Sequence, residues 1–257
     1  MAGQGHSILV YGASGIGKST DVLYTFRKAA WLLTEPGGLI PAAECIGFDP
    51  HPVYELFDVD NPERELVDVI NKDIIPMAQQ GQISSVVLDT GSEWADRMMT
   101  KLMSSVRDPR QAYGGIVGSV LTPLRRLINL KQYGVWVICI CHETGPALDS
   151  DTKMRLRGGP LLPGKNLPRS FPPKFDLALR ATVDQGLGEA TRIYQCDPLD
   201  PDYITKQRGN AAPKKGPMEL GPIVWRISRP GQPVPPEMLS KKLNLHETLY
   251  GNALSGE

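Results

Sequence analysis

A run of glycines followed by a lysine and a serine has the spacing of a phosphate-binding loop. The segment Gly-Ala-Ser-Gly-Ile-Gly-Lys-Ser at 12–19 matches the pattern of a glycine, four residues, a second glycine, a lysine and a hydroxyl residue. In such a loop backbone N–H groups surround the β-phosphate, Lys18 reaches the β- and γ-phosphates and the Ser19 hydroxyl ligates Mg²⁺. The segment therefore predicts a site for ATP with magnesium. The residues expected to contact the nucleotide are Gly12, Ser14, Gly15, Ile16, Gly17, Lys18, Ser19 and Thr20.

Three further polar residues each follow an apolar run, and each suits one step of phosphoryl chemistry. Asp89 ends Val-Val-Leu-Asp and is expected to face the metal with Ser19, although it could instead cap the following helix. Glu35 could act as a general base on the attacking water, or be a surface acid in a Glu-Pro-Gly-Gly turn. His142 could sense the γ-phosphate by a hydrogen bond, or serve a local turn. Together with Lys18, these residues predict hydrolysis of the triphosphate.

This chemistry requires the polar residues to meet at one edge of a sheet, and the apolar pattern predicts such a sheet. Short apolar runs at 7–11, 30–34, 83–88 and 135–141 are typical of buried strands. Helical segments are expected at 18–29, 62–80, 92–106 and 117–130. Alternating strands and helices favour an α/β fold with a mainly parallel sheet and helices on both faces. Parallel strands all end at the edge that carries the phosphate loop.

The second half of the chain has a different composition. Residues 144–174 are polar, basic and rich in glycine and proline, and they are predicted to form a long irregular segment. Strands are expected at 175–183, 190–196, 203–206 and 223–227, where hairpins would extend the sheet. A short helix is expected at 237–243. The predicted domains are an ATPase core at 1–230 and a C-terminal helix and tail at 231–257.

Positive charge is concentrated in that irregular segment. The whole chain has 28 basic and 28 acidic residues, but 153–180 holds seven basic residues against one acid. A flexible cationic segment could follow a nucleic-acid backbone, or it could be a solvated surface loop. The nucleic-acid interpretation assigns DNA contacts to Lys153, Arg155, Arg157, Lys165 and Arg169.

Composition also excludes some classes of protein. The chain lacks an apolar run of the about 20 residues that a membrane span needs, and its first residues lack a signal-peptide pattern. We therefore expect a cytoplasmic protein. The four cysteines do not have the paired spacing of a zinc site, so we expect reduced, structural thiols.

The order of these motifs resembles the RecA-like P-loop ATPase superfamily, most closely the short phage-encoded RecA-like ATPases that act in single-strand annealing. The resemblance spans about residues 7–227. It rests on the phosphate loop, on Glu35 in Leu-Leu-Thr-Glu-Pro-Gly-Gly, on Asp89 after Val-Val-Leu, and on His142 in Ile-Cys-Ile-Cys-His-Glu. It continues through Gly-Gly-Pro at 158–160, Phe-Asp-Leu-Ala-Leu-Arg at 175–180 and Ile-Thr-Lys-Gln-Arg-Gly at 204–209.

The resemblance implies a recombination ATPase that acts on single-stranded DNA as a homo-oligomer, in the host cytoplasm if it is phage-encoded. It implies that 107–118, with Arg110, and 144–174 are two DNA-binding loops. It also implies that Lys206 and Arg208 reach the γ-phosphate of a neighbouring subunit's nucleotide, although both could be ordinary surface cations. A single-stranded-DNA-binding protein would be a further partner.

The chain departs from full-length recombinases in having a short first helix, no sizeable domain ahead of the phosphate loop, and a proline-rich stretch at 213–222. These departures argue against filament formation and strand exchange more than against ATP binding. The residues also allow a helicase-type DNA motor or loader, a small-molecule kinase with the basic segment as its lid, and a nucleotide-gated binding module. A kinase would gain nothing from Lys206 and Arg208 acting between subunits, whereas the recombinase interpretation needs them.

Overall fold

The chain folds into alternating strands and helices, and the computed structural model describes residues 5–149, 152–185, 190–208 and 212–235. The strands are β1 (Ser7–Gly12), β2 (Ala29–Leu33), β3 (Val53–Glu55), β4 (Ser85–Asp89), β5 (Trp136–Cys141), β6 (Glu143–Thr144), β7 (Ala147–Leu148), β8 (Arg155–Leu156), β9 (Gly159–Pro160), β10 (Leu177–Asp184), β11 (Thr191–Gln195) and β12 (Lys215–Pro217). The α-helices are α1 (Lys18–Thr25), α2 (Ile40–Ile46), α3 (Pro62–Val69), α4 (Ile75–Gln79), α5 (Gly91–Ser105), α6 (Pro109–Asn129), α7 (Leu167–Ser170) and α8 (Leu220–Ser228). A π-helical turn at Ile70–Ile74 joins α3 to α4.

In the described residues, the main sheet has eight strands in the order β12-β11-β10-β1-β5-β4-β2-β3. The pairs from β10 to β3 are parallel, and β11 and β12 are added antiparallel at one edge. Strands β1, β2 and β4 are buried along their whole length, which is why they are continuous apolar runs rather than alternating ones. The expected α/β core, with a mainly parallel sheet, helices on both faces and an antiparallel C-terminal extension, is therefore confirmed.

Each face of the sheet packs against its own helices. Alternate residues of β1 point to opposite faces. Leu9 and Tyr11 join the apolar core formed with α3 to α6, whereas Ile8 and Val10 join the core formed with α1, α2 and α8. Full burial of one such apolar side chain contributes about 1.5–3 kcal/mol. Packing on both faces holds β1 in the centre of the sheet, and the phosphate loop follows directly from it.

The predicted loop at 107–118 is wrong, because most of it is helical. Helix α6 begins at Pro109, and the side chain of Asp108 caps it by accepting a hydrogen bond from the Arg110 backbone N–H at 2.9 Å. Ala112 and Ile116 are buried against the core at helical spacing. The glycines at 114, 115 and 118 are poor helix formers, but the apolar spacing stabilises the helix despite them.

Three other sequence expectations also need correction. The predicted strand at 223–227 is wrong, because this short apolar run belongs to α8, which buries Leu220 and Ile223. The run at 203–206 forms only isolated bridges, one from Tyr203 to Gly158 and one from Lys206 to Ala178. The first helix ends at Thr25 rather than continuing to 29, because Ala29 already begins β2.

The segment at 144–174 is more ordered than predicted. It contains the small strand pairs β6–β9 and β7–β8 and the short helix α7. Leu162, Leu167 and Phe171 from this segment are buried in the main core. Its glycines and prolines therefore mark turns between very short strands.

The predicted helix at 237–243 lies outside the described residues. None of the helices in the described part of the chain has the length and apolar character that a membrane crossing requires.

Candidate nucleotide site

The phosphate loop runs from the end of β1 into the start of α1, and its glycines are required for different reasons. Gly15 and Gly17 have φ angles of +74° and +97°, in the left-handed region that favours glycine. Gly12 is required by packing, because a Cβ there would lie 2.3 Å from the backbone oxygen of Ala181. The loop is thus shaped by backbone conformation at one end and by contact with β10 at the other.

Lys18 lies folded across the loop. Its Nζ donates hydrogen bonds to the backbone oxygens of Gly12 at 2.9 Å and Ala13 at 2.8 Å. The side chain is almost completely buried, and burial lowers the pKa of its ammonium group, against the opposing effect of Asp89. A bound polyphosphate would offer the ammonium group a stronger set of acceptors than these two carbonyls.

Ser19 and Asp89 form the predicted metal pair. Ser19 Oγ donates to Asp89 Oδ2 at 2.7 Å, although the two residues are 70 positions apart. Burial is the main cause that raises the pKa of Asp89 to about 6. A hydroxyl and a carboxylate are hard oxygen ligands, and a divalent cation would compensate the buried charge, so the pair fits Mg²⁺. Asp89 is not the helix cap, because the side chain of Thr90 caps α5 by accepting from the Glu93 backbone N–H at 3.1 Å.

Glu35 and His142 come from different strand ends and meet in the same cavity. Glu35 Oε1 lies 3.0 Å from His142 Nε2 and accepts a hydrogen bond from the Thr90 hydroxyl at 3.0 Å. The His142 backbone N–H donates to the Ser92 hydroxyl at 2.9 Å, which fixes the strand end beside α5. The structure thus brings together the predicted base, the predicted γ-phosphate sensor and the metal pair.

The cavity has a volume of about 430 Å³ and reaches beyond the phosphate loop. One wall is formed by Gly38, Pro41, Ala42 and Cys45, at the start of α2 and along it. Another wall contains Arg192, whose Nη1 would lie 3.2 Å from a Cβ placed on Gly17. Sequence reasoning missed both walls. No motif marks them, because their position depends on how α2 and β11 pack beside the loop.

Lys206 and Arg208 do not lie at this cavity. Lys206 pairs with Ala178, near the amino end of β10, and its Nζ donates to the backbone oxygens of Pro173 at 2.6 Å and Phe175 at 2.5 Å. Arg208 forms an ion pair of 3.1 Å with Asp176. Both cations are therefore at the edge of the sheet opposite their own phosphate loop.

The predicted DNA-binding residues are all exposed, but several have partners within the chain. Arg155 pairs with Asp202, Lys165 lies 3.2 Å from Asp149, and Arg157 donates to the backbone oxygen of Tyr203. Lys153 lies between β7 and β8, Arg169 in α7 and Arg110 in the first turn of α6. The phenylalanines at 171 and 175, the aromatic residues available for stacking in that segment, are completely buried.

One of three comparisons with known proteins shows the family of this chain. The family model described as AAA domain matches residues 4–208 of the 257-residue chain. No curated protein matches it. Among solved structures, a KaiC-like protein from the hyperthermophilic archaeon Pyrococcus horikoshii is similar, with a TM-score of 0.46 and 17% sequence identity over 86% of this chain and 88% of that one. With the family model covering most of the sequence, the chain is a P-loop ATPase that belongs to the AAA domain family.

Proposed function

We propose that this ATPase hydrolyses ATP in a homo-oligomer and uses it for recombination or annealing of single-stranded DNA. The observation that carries the hydrolytic part is the 3.0 Å contact between Glu35 and His142, in the cavity that also contains Ser19 and Asp89. A nucleotide-binding module without turnover would have no need of a carboxylate oriented in this way beside the metal pair.

The contacts of Glu35 give its two oxygens different roles. Because a carboxylate only accepts hydrogen bonds, His142 donates to Oε1 through Nε2, and the Thr90 hydroxyl donates to the same oxygen. Oε2 then accepts the proton of the water that attacks the γ-phosphate. Lys18 and the backbone N–H groups of the loop stabilise the charge that develops on the phosphate oxygens. Mg²⁺ held by Ser19 and Asp89 would add positive charge at the same oxygens.

The basic segment is attached directly to the strand end that carries His142. The Leu161 backbone N–H donates to the His142 backbone oxygen at 2.8 Å, and β6, which begins at Glu143, pairs with β9. The Glu143 carboxylate in turn pairs with Arg180 at 2.6 Å. A ligand that moves the segment would therefore act on the position of His142. This attachment supports the proposal that DNA bound to the exposed cations stimulates hydrolysis.

The experiment is steady-state ATP hydrolysis with and without single-stranded DNA, over a range of protein and salt concentrations. We expect stimulation that rises more than linearly with protein concentration, because the oligomer is the active form, and that decreases with salt. The double variant Lys153→Ala/Arg169→Ala should lose stimulation but keep basal hydrolysis. Arg64→Ala/Lys72→Ala removes the same charge from the exposed surface of the α3 region and is the matched control.

Each contrary outcome points to another function. Hydrolysis that is linear in protein concentration and indifferent to DNA contradicts the recombination proposal and favours a small-molecule kinase. Movement along DNA or unwinding, without annealing, favours a helicase-type motor or loader.

A further inference from the structure

Arg192 brings a cation to the phosphate loop from the side opposite the hydrolytic residues. Glu35 and His142 follow β2 and β5, which lie on one side of β1, whereas β11 lies on the other side, beyond β10. Because β11 is antiparallel to β10, its first residues lie where the parallel strands end. The register pairs Arg192 with Val183, one residue before the end of β10. The antiparallel extension therefore delivers a side chain to the nucleotide edge.

The Arg192 guanidinium lies against the loop itself. Its Nη1 would be 3.2 Å from a Cβ placed on Gly17. The Arg192 side chain lines the same cavity as Lys18 and Thr20. Within the part of the chain that the structure describes, no carboxylate forms an ion pair with this guanidinium. A partly buried cation without a counter-charge, facing a cavity, is suited to an anionic ligand.

A buried hydrogen bond holds β11 in this position. Tyr194 Oη donates to Asp21 Oδ2 at 2.6 Å, and the Leu220 backbone N–H donates to the same oxygen at 3.1 Å. Tyr194 and Arg192 are two residues apart on a strand and share one face. Asp21 is three residues after Lys18 on α1. The contact therefore fixes the start of β11 relative to the phosphate loop.

We propose that Arg192 binds the α- and β-phosphates of the nucleotide held by its own subunit. The γ-phosphate must lie toward Glu35 and His142, so a cation on the β10 side faces the part of the nucleotide that remains after hydrolysis. The planar guanidinium has five donors in a fork that matches paired phosphate oxygens. This inference rests on the proposed binding of ATP in the cavity and adds a specific residue to it.

The test compares the affinities for ADP and for a non-hydrolysable ATP analogue, and kcat at saturating ATP, in wild type, Arg192→Gln and Arg192→Lys. Loss of charge-assisted hydrogen bonds to a phosphate weakens binding by about tenfold or more. We expect Arg192→Gln to weaken ADP and the analogue by about the same factor and to lower kcat by less than that factor, because some negative charge also develops on the β-phosphate as its bond to the γ-phosphate breaks. Arg192→Lys should recover part of the affinity, because it keeps the charge but loses the fork.

Arg125→Gln removes an exposed arginine from α6 and is the matched control, with all three quantities expected to stay unchanged. Unchanged ADP affinity in Arg192→Gln, with the fold intact by circular dichroism, would overturn the proposal. A loss confined to the ATP analogue and to kcat would also overturn it, because Arg192 would then contact the γ-phosphate. If wild type binds neither nucleotide, the proposed function itself fails, which is a separate outcome.

Discussion

Asp89 and Lys18 are opposite charges that the fold has largely removed from water. Each is 6% exposed; burial raises the pKa of Asp89 to about 6 and lowers the pKa of Lys18. In both cases burial destabilises the charged form of the group. Magnesium and a polyphosphate would supply the missing counter-charges. Ligand binding should therefore stabilise the folded chain as well as prepare the reaction.

Replacing Glu35 by glutamine tests the proposed base. Glutamine keeps the size and the hydrogen bonds to Thr90 but cannot take a proton, so kcat should fall by about 10²- to 10⁴-fold while ATP affinity stays nearly unchanged. Single-turnover hydrolysis and nucleotide titration measure the two quantities. Glu44→Gln, at an exposed acid of α2, is the control. An unchanged kcat in Glu35→Gln would show that another group activates the water.

Asp21 should make stability depend on pH. Burial raises its pKa from 3.8 to about 7, despite the hydrogen bond from Tyr194. The folded chain therefore holds this proton more tightly than the unfolded chain, so the stabilisation is complete below about pH 4 and is lost as pH rises through about 7. Asp21→Asn keeps an acceptor for the Tyr194 hydroxyl. It should remove the decrease of the free energy of unfolding with pH, which is up to ~1.4 kcal/mol per pH unit. Urea unfolding at pH 5, 6 and 7 measures it, and equal slopes in both proteins would contradict the assignment.

At the scale of elements, α6 shows where sequence patterns mislead and why. Its three exposed glycines favour a loop when considered locally, but Ala112 and Ile116 are buried at helical spacing and the side chain of Asp108 caps the first turn. The run at 223–227 was ambiguous for another reason, because five apolar residues are too few to distinguish a buried strand from a helix. In both cases tertiary packing decided the structure.

The helical state of α6 predicts a stabilising substitution. Gly115 is exposed, and a Cβ placed on it would meet no atom within 4 Å. Gly115→Ala should raise the free energy of unfolding by about 0.5–1 kcal/mol, because alanine loses less backbone entropy in a helix. Gly134→Ala is the contrasting variant and should destabilise, since Gly134 has a φ of +77°. If Gly115→Ala does not raise the free energy of unfolding measured by chemical denaturation, this result would argue for a loop at that position.

At the scale of the whole molecule, the sequence predicted the hydrolytic side of the site better than the other walls. Asp89 and His142 end apolar runs, and parallel strands must end at one edge, so their convergence with the phosphate loop followed from the pattern alone. Arg192 could not be found in this way, because its position depends on the register of β11 against β10. The cavity wall on α2 depends likewise on the packing of a short helix that no motif marks.

The position of Lys206 and Arg208 at the opposite edge makes a prediction about assembly. Arg208→Ala should leave nucleotide affinity nearly intact and lower kcat, because the group would act on a neighbour's transition state. The Arg208 side chain is mostly exposed, and the buried Asp176 keeps its ion pair with Lys131, so the fold should tolerate the change. Mixing Arg208→Ala with Glu35→Gln should restore hydrolysis, since each variant supplies what the other lacks. No recovery in the mixture, or an equal loss of binding, would contradict action between subunits.

The cysteines differ sharply in their surroundings. Cys139, Cys141 and Cys196 are buried, and burial raises the pKa of Cys139 well above its usual value, so these thiols should react slowly with alkylating reagents. Cys45 is partly exposed and lines the nucleotide cavity from α2. It is therefore an intrinsic chemical reporter: a thiol reagent should label it in the free protein, and bound nucleotide should protect it. Occupancy of the site can be followed by mass spectrometry without modifying the sequence.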